Sequence, residues 1–221
     1  MKKMVIWDFD GVIADSERIY LENRQRYFNS KLNLNWDFNT TVDNICGLSD
    51  FSNREVLNSL GYITCDDFWG NLVKIDEEVF KKEGLVPTDG IENIIKKLPK
   101  QCVATGGIKQ RTIVKLELVG FWKKYFNEDN LFTIDMVKKG KPFPDIFLYA
   151  AEKMGEKPED CVVVEDSVAG VIAAQRANMD VIAFLGSKIY QNDNYLNAIK
   201  STGVENICFN MKEVKVCLCN L

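Results

Sequence analysis

Asp8 and Asp10 stand two residues apart in Trp7-Asp8-Phe9-Asp10-Gly11, Thr105 closes a second apolar run before Gly106-Gly107, and Glu165-Asp166-Ser167 closes another. In an open parallel sheet, ligands bind outside the carboxyl ends of the strands. If these runs are strands, four carboxylates and one hydroxyl share an edge. Carboxylates so placed repel, and each resists ionisation unless a cation neutralises the group. Oxygen ligands without Cys or His select a hard cation, and a site that keeps waters and shares a phosphate suits Mg²⁺ better than Ca²⁺. Asp8 and Asp10 project to one side by the strand period of two, and Gly11 lets the chain turn away at once. A further segment, Lys138-Lys139-Gly140-Lys141-Pro142-Phe143-Pro144-Asp145, sets Lys141 before a proline-stiffened helix start, where the amide dipoles favour an anion. Lys138 and Lys139 read as a solvated basic loop. A pair of aspartates alone is a common way to end a strand or cap a helix; the combination of segments carries the chemistry.

The elements that must position these residues are short, almost unbroken apolar runs, the pattern of parallel strands buried on both faces. They span residues 4–9, 102–105, 131–134, 161–164 and 181–185. Between them the apolar spacing predicts helices over 90–98, 110–118, 144–154 and 168–177. Strand alternating with helix gives an α/β chain with a parallel, doubly wound sheet. Residues 15–84 break the alternation, holding helical patterns at 16–28, 49–60 and 66–80, with Ser49 and Asp66 as candidate N-caps. The expected organisation is a Rossmann-like core of residues 1–14 and 85–221 with an inserted α-helical cap of residues 15–84, hinged near Ala14–Ser16 and Gly84–Pro87.

Composition narrows the function. A chain of 221 residues with 46% hydrophobic content can build a core, and its formal charge of −4 offers no basic stripe to a nucleic acid. No apolar stretch is long enough to span a bilayer. The basic opening Met-Lys-Lys is followed by Asp8 before a signal-peptide core can develop, so a cytoplasmic location is expected. The seven cysteines are an odd, scattered set and read as reduced thiols, Cys102 and Cys161 as core residues. Cys217 and Cys219 are too close in sequence for a metal pair. The absence of histidine removes the usual Ser/His and Cys/His nucleophile pairs, leaving carboxylates, lysines or a metal to carry catalysis.

The segment Trp7–Ser16, Thr105, Gly140–Asp145 and Val164–Gly170, in this order and spacing, resemble the four motifs of the haloacid dehalogenase superfamily. The position of the insertion is similar to that in its subgroup of β-phosphoglucomutases and small-molecule phosphatases. The resemblance implies that Asp8 is the nucleophile forming an aspartyl phosphate and Asp10 the general acid and base. It implies that Asp8, Asp166 and the backbone carbonyl of Asp10 hold Mg²⁺, with Glu165 supporting it through a water. It also implies that Thr105, Lys141 and the amides of Phe9, Asp10 and Gly106 bind the phosphoryl oxygens. The family usually follows the second-motif hydroxyl with Asn or Ser; here Gly106-Gly107 follow, which removes a side-chain contact to substrate.

Three functional readings stand at this point. The first is hydrolysis of a small phosphorylated metabolite of the sugar-phosphate type, by a monomer or weak dimer. The second is a phosphoglucomutase-type isomerisation, and the third a non-catalytic phosphate-binding module. The presence of both Asp8 and Asp10 weighs against the third. Gly47, Leu48 and Ser49 are the expected specificity loop of the cap, where the mutases carry an Arg and this chain has Ser49-Asp50. That difference tilts the expectation toward a phosphatase.

Overall fold

The computed structural model describes residues 2–48, 50–190 and 193–221. Strand β1 (Met4–Trp7) leads into a run of helices, α1 (Ser16–Leu32), α2 (Phe38–Ile45), α3 (Asp50–Ser59) and α4 (Asp66–Glu83). The chain then continues through α5 (Glu92–Ile95), β2 (Gln101–Thr105), α6 (Lys109–Leu118), β3 (Leu131–Thr133), α7 (Asp145–Met154), β4 (Cys161–Glu165) and α8 (Val168–Arg176). It ends with β5 (Asp180–Phe184), α9 (Asp193–Ser201), β6 (Asn206–Cys208) and α10 (Met211–Asn220). Two compact units result, one of Met1–Asp15 with Val86–Leu221 and one of Ser16–Leu85.

The first unit is an α/β fold built on a six-stranded sheet in the order β3-β2-β1-β4-β5-β6, with every pairing parallel. β1 lies between β2 and β4, and all four of its residues are buried, as the unbroken apolar run requires. Each of these side chains contributes about 2 kcal/mol on burial. Trp7 is fully buried, yet its Nε1–H is satisfied by Gln101 Oε1 at 2.9 Å, which ties β1 to the start of β2. The chain leaves and re-enters this unit through neighbouring segments: Thr88 N–H donates to the Ile13 carbonyl at 2.8 Å, and Ala14 and Pro87 form a bridge.

In the helical unit, aromatic residues of α1 and α4 form the core, Phe28 lying 5.8 Å from Phe68 and 5.9 Å from Trp69 by ring centroid. Beside them is a buried polar network. Arg24 reaches Asp50 at 2.5 Å and Asp76 at 3.3 Å, and Asn23 donates to the other Asp76 oxygen at 2.9 Å. Gly84 stops α4 with φ of 77°, a conformation that favours glycine.

Several elements differ from expectation. The segment 90–98 holds only the four-residue α5, because the amides of Ile94, Lys97 and Leu98 reach back three residues rather than four, a tighter winding that does not propagate. Asp66 is not the N-cap of α4; Cys65 holds that position, and Asp66 with Asp67 fills the first turn, where acids suit the helix dipole. The expected cap at Ser49 lies outside the described residues. Helices α2, α9 and α10 and strand β6 were not expected at all. All seven cysteines are free thiols. Cys102 and Cys161 are buried in the sheet, and burial pushes the Cys161 thiol up to about 11. The Cys208 and Cys217 sulfurs lie 3.5 Å apart, a proximity that their spacing in sequence does not suggest.

Candidate active site

The carboxyl ends of β1, β2 and β4 and the loop before α7 meet at one edge of the sheet. Asp8 follows β1, and its amide donates to the Val164 carbonyl at 2.9 Å, locking it to the neighbouring strand. Glu165 ends β4 and turns back on the next helix: its Oε2 accepts the Ser167 amide at 2.7 Å and the Ser167 hydroxyl at 2.9 Å. Ser167 in turn caps α8 by accepting the Gly170 amide at 3.0 Å. Gly170 is required here, since a Cβ would stand 1.9 Å from Glu165 Oε1. Lys141 then joins the strands, its Nζ lying 2.5 Å from Asp8 Oδ1 and also bonded to Glu165 Oε1.

Asp8, Glu165 and Asp166 are buried, and each offers an oxygen within 4.8 Å of those of the other two. Lys141 is the cation that Asp8 and Glu165 share. Burial, with Glu165 and Asp10 adding repulsion, raises the Asp8 carboxyl from 3.8 to about 7 despite the opposing pull of Lys141. For Lys141, burial pulls downward, but the Asp8 and Glu165 carboxylates outweigh it and hold the ammonium above its ordinary range. One lysine therefore leaves negative charge uncompensated in a dry site, and a divalent cation among hard oxygen donors fits that deficit.

Asp10 belongs to this edge but not to the acid cluster. Both of its carboxylate oxygens lie 2.6 Å from Lys115 Nζ. The Lys115 side chain is only 4% exposed and also sits 4.7 Å from the centre of the Phe9 ring. Sequence reasoning missed Lys115, because charged residues on a helix ordinarily face water. The available signal was phase: Thr112, Lys115 and Leu116 share the buried face of α6 at spacings of three and four.

Thr105 ends β2, fully buried, and its Oγ1 accepts the Gly107 amide at 3.2 Å. The Gly106-Gly107 pair allows this tight turn, a Cβ on Gly107 lying 3.0 Å from Thr112 Oγ1. Gly106 is exposed and Phe9 is buried with its carbonyl engaged by Ile13 at 2.9 Å. Of the expected specificity loop, Gly47 and Leu48 lie in the helical unit after α2. The Gly47 amide donates to Glu17 Oε1 at 3.0 Å, and Leu48 is exposed. Ser49 is outside the described residues.

A profile of haloacid dehalogenase-like hydrolases matches residues 5–184. The chain belongs to this family. Among curated relatives of this hydrolase, a phosphorylated carbohydrates phosphatase of Thermotoga maritima is 30% identical over 186 residues, covering 80% of this chain and 82% of that one. (DL)-glycerol-3-phosphatase 2 of Arabidopsis thaliana is 28% identical over 192 residues, covering 80% and 77%. Among solved structures, a conserved haloacid dehalogenase-like protein of Agrobacterium tumefaciens matches with a TM-score of 0.86, 24% identity, and coverage of 100% of this chain and 99% of that one. That likeness shows a shared fold. No helix among the described residues is long and apolar enough to cross a membrane.

Proposed function

We propose that this hydrolase is a Mg²⁺-dependent phosphatase of small phosphorylated metabolites of the sugar-phosphate type, acting through an aspartyl phosphate at Asp8. The observation that carries the reading is the division of labour between two aspartates. Asp8 sits with Glu165 and Asp166 in an ion-sized group under Lys141, while the Asp10 carboxylate is held apart on Lys115. The two phosphatase relatives, matched over most of their length, support the same substrate class.

Asp8 and Asp166, the backbone carbonyl of Asp10 and, through a water, Glu165 would hold the Mg²⁺, which supplies positive charge to the phosphoryl oxygens. An Asp8 oxygen attacks phosphorus, the bond to the ester oxygen breaks, and the departing oxygen takes a proton from the Asp10 carboxyl. A water then attacks the phosphorus of the aspartyl phosphate, gives its proton to Asp10, and the bond to Asp8 breaks as inorganic phosphate forms. Lys115 bonds the Asp10 oxygens without consuming them, since each keeps a second lone pair for the travelling proton. Lys141, the Thr105 hydroxyl and the amides of Phe9, Asp10 and Gly106 stabilise charge on the equatorial oxygens.

A panel of phosphorylated sugars, polyols and glycerol phosphates, assayed for phosphate release with Mg²⁺ and with a chelator, tests the proposal. Release is expected only with the metal, and Asp8→Asn and Asp10→Asn should each abolish it while leaving circular dichroism unchanged. Turnover by Asp8→Asn would overturn the mechanism. Conversion of glucose 1-phosphate to glucose 6-phosphate without phosphate release would replace the phosphatase by the mutase.

A further inference from the structure

Residues that follow β5 brace the acid-bearing end of the sheet, and the reaction above makes no use of them. Ser187 Oγ donates to Asp15 Oδ1 at 2.9 Å, and Tyr195 Oη donates to the Asp166 backbone carbonyl at 3.0 Å. Between these two, the Tyr190 hydroxyl donates to Asp166 Oδ2. Tyr190 is 1% exposed and stacks on Tyr195, with ring centroids 4.8 Å apart and planes at 22°. The tyrosine hydroxyl thus reaches the carboxylate from within the protein, as the tip of a rigid aromatic pair.

Gly11 makes room for this contact. Its φ is 77°, and a Cβ there would stand 1.8 Å from Asp166 Oδ2 and 2.7 Å from Tyr190 Oη. The segments of Gly11 and Tyr190 are therefore fitted against one carboxylate. The terminal torsion of an aspartate is broad and costs little to turn. A donor fixed on one oxygen removes that freedom, and such outer partners of metal-ligating groups commonly change metal affinity by about 10–100-fold.

We propose that Tyr190 is a positioning residue for the cation site: its hydroxyl sets the Asp166 carboxylate in the orientation that groups it with Asp8 and Glu165, while Tyr195 fixes the backbone of Asp166. This rests on the reading of the acid cluster as a Mg²⁺ site. The aromatic pair belongs to the segment after β5, outside the four motif segments.

Isothermal titration of Mg²⁺ into the full chain tests it without recourse to turnover. The wild type should bind one ion, and folded Tyr190→Phe, which keeps the ring and loses only the hydroxyl, should bind about 10–100-fold more weakly. Equal or tighter binding by folded Tyr190→Phe would overturn the proposal. Should Tyr190→Phe fail to fold, Tyr195→Phe decides. A weakening of about fivefold, the worth of one hydrogen bond, supports the brace, and unchanged affinity refutes it. A wild type that binds no Mg²⁺ would instead defeat the cation-site reading itself, a result seen before any variant is compared.

Discussion

The crowding at Asp8 makes the metal-free protein less stable as pH rises. Burial, then repulsion from Glu165 and Asp10, lifts the Asp8 carboxyl from 3.8 to about 7 against the pull of Lys141. Between those values the folded chain keeps a proton that the unfolded chain has released, so stability is fully present below the lower value and falls through the upper one. At about 1.4 kcal/mol per pH unit, the loss from about pH 5 to the upper value is about 3 kcal/mol. Lys141 remains charged throughout and does not offset the trend. Asp76, also raised by burial, slopes the same way, so the contribution of Asp8 is the difference between wild type and Asp8→Asn. Urea unfolding with a chelator present, from about pH 5 to about pH 8, should show the decline in the wild type and a clearly smaller one in Asp8→Asn. Saturating Mg²⁺ should flatten the wild-type curve, because the ion replaces the proton. Stability that is level or rising over this window without metal, or an Asp8→Asn curve parallel to the wild type, would refute the reasoning.

Lys115→Met removes both bonds to Asp10 while leaving Thr105 and Lys141 in place. Steady-state kinetics should show kcat reduced by about 100-fold with KM little changed, and Lys115→Arg should recover part of the loss. In the helical unit, Arg24→Met takes the cation from the Asp76 carboxylate, which is only 4% exposed and keeps its bond from Asn23, and leaves Asp50 without its bridge. Urea unfolding should register a loss of about 3–5 kcal/mol, partly restored by adding Asp76→Asn.

The central strands were legible because burial on both faces leaves an unbroken apolar signature, and the acids that end β1 and β4 interrupt it sharply. What escaped has physical causes. Helix α2, Phe-Asn-Thr-Thr-Val-Asp-Asn-Ile, is poor in strong helix formers. It is held by the Asp37 side chain accepting the Thr40 amide at 2.7 Å and by burial of Thr41, Val42 and Ile45. Strand β6 is three residues long at the sheet edge, with only Cys208 fully buried, so it presents no run to read. Asp8, Glu165, Asp166 and Lys141 were recognisable from type and position, and they do meet at one edge. Lys115 and Tyr190 were not, since each is a polar residue whose partner lies far away in sequence, and only tertiary packing turns it inward.

The pairing of β1 also shapes how the chain matures. Its neighbours in the sheet begin at Gln101 and Cys161, and the second partner is complete only at Glu165. A ribosome adding about 5–20 residues per second needs roughly 8–30 s to travel from the first strand to the last of these. Until Gln101–Thr105 has been made the apolar stretch Met4-Val5-Ile6-Trp7 has no strand to pair with, and it is flanked on both sides only once Glu165 is added. The strand that leads into Asp8 is thus synthesised early and seated late.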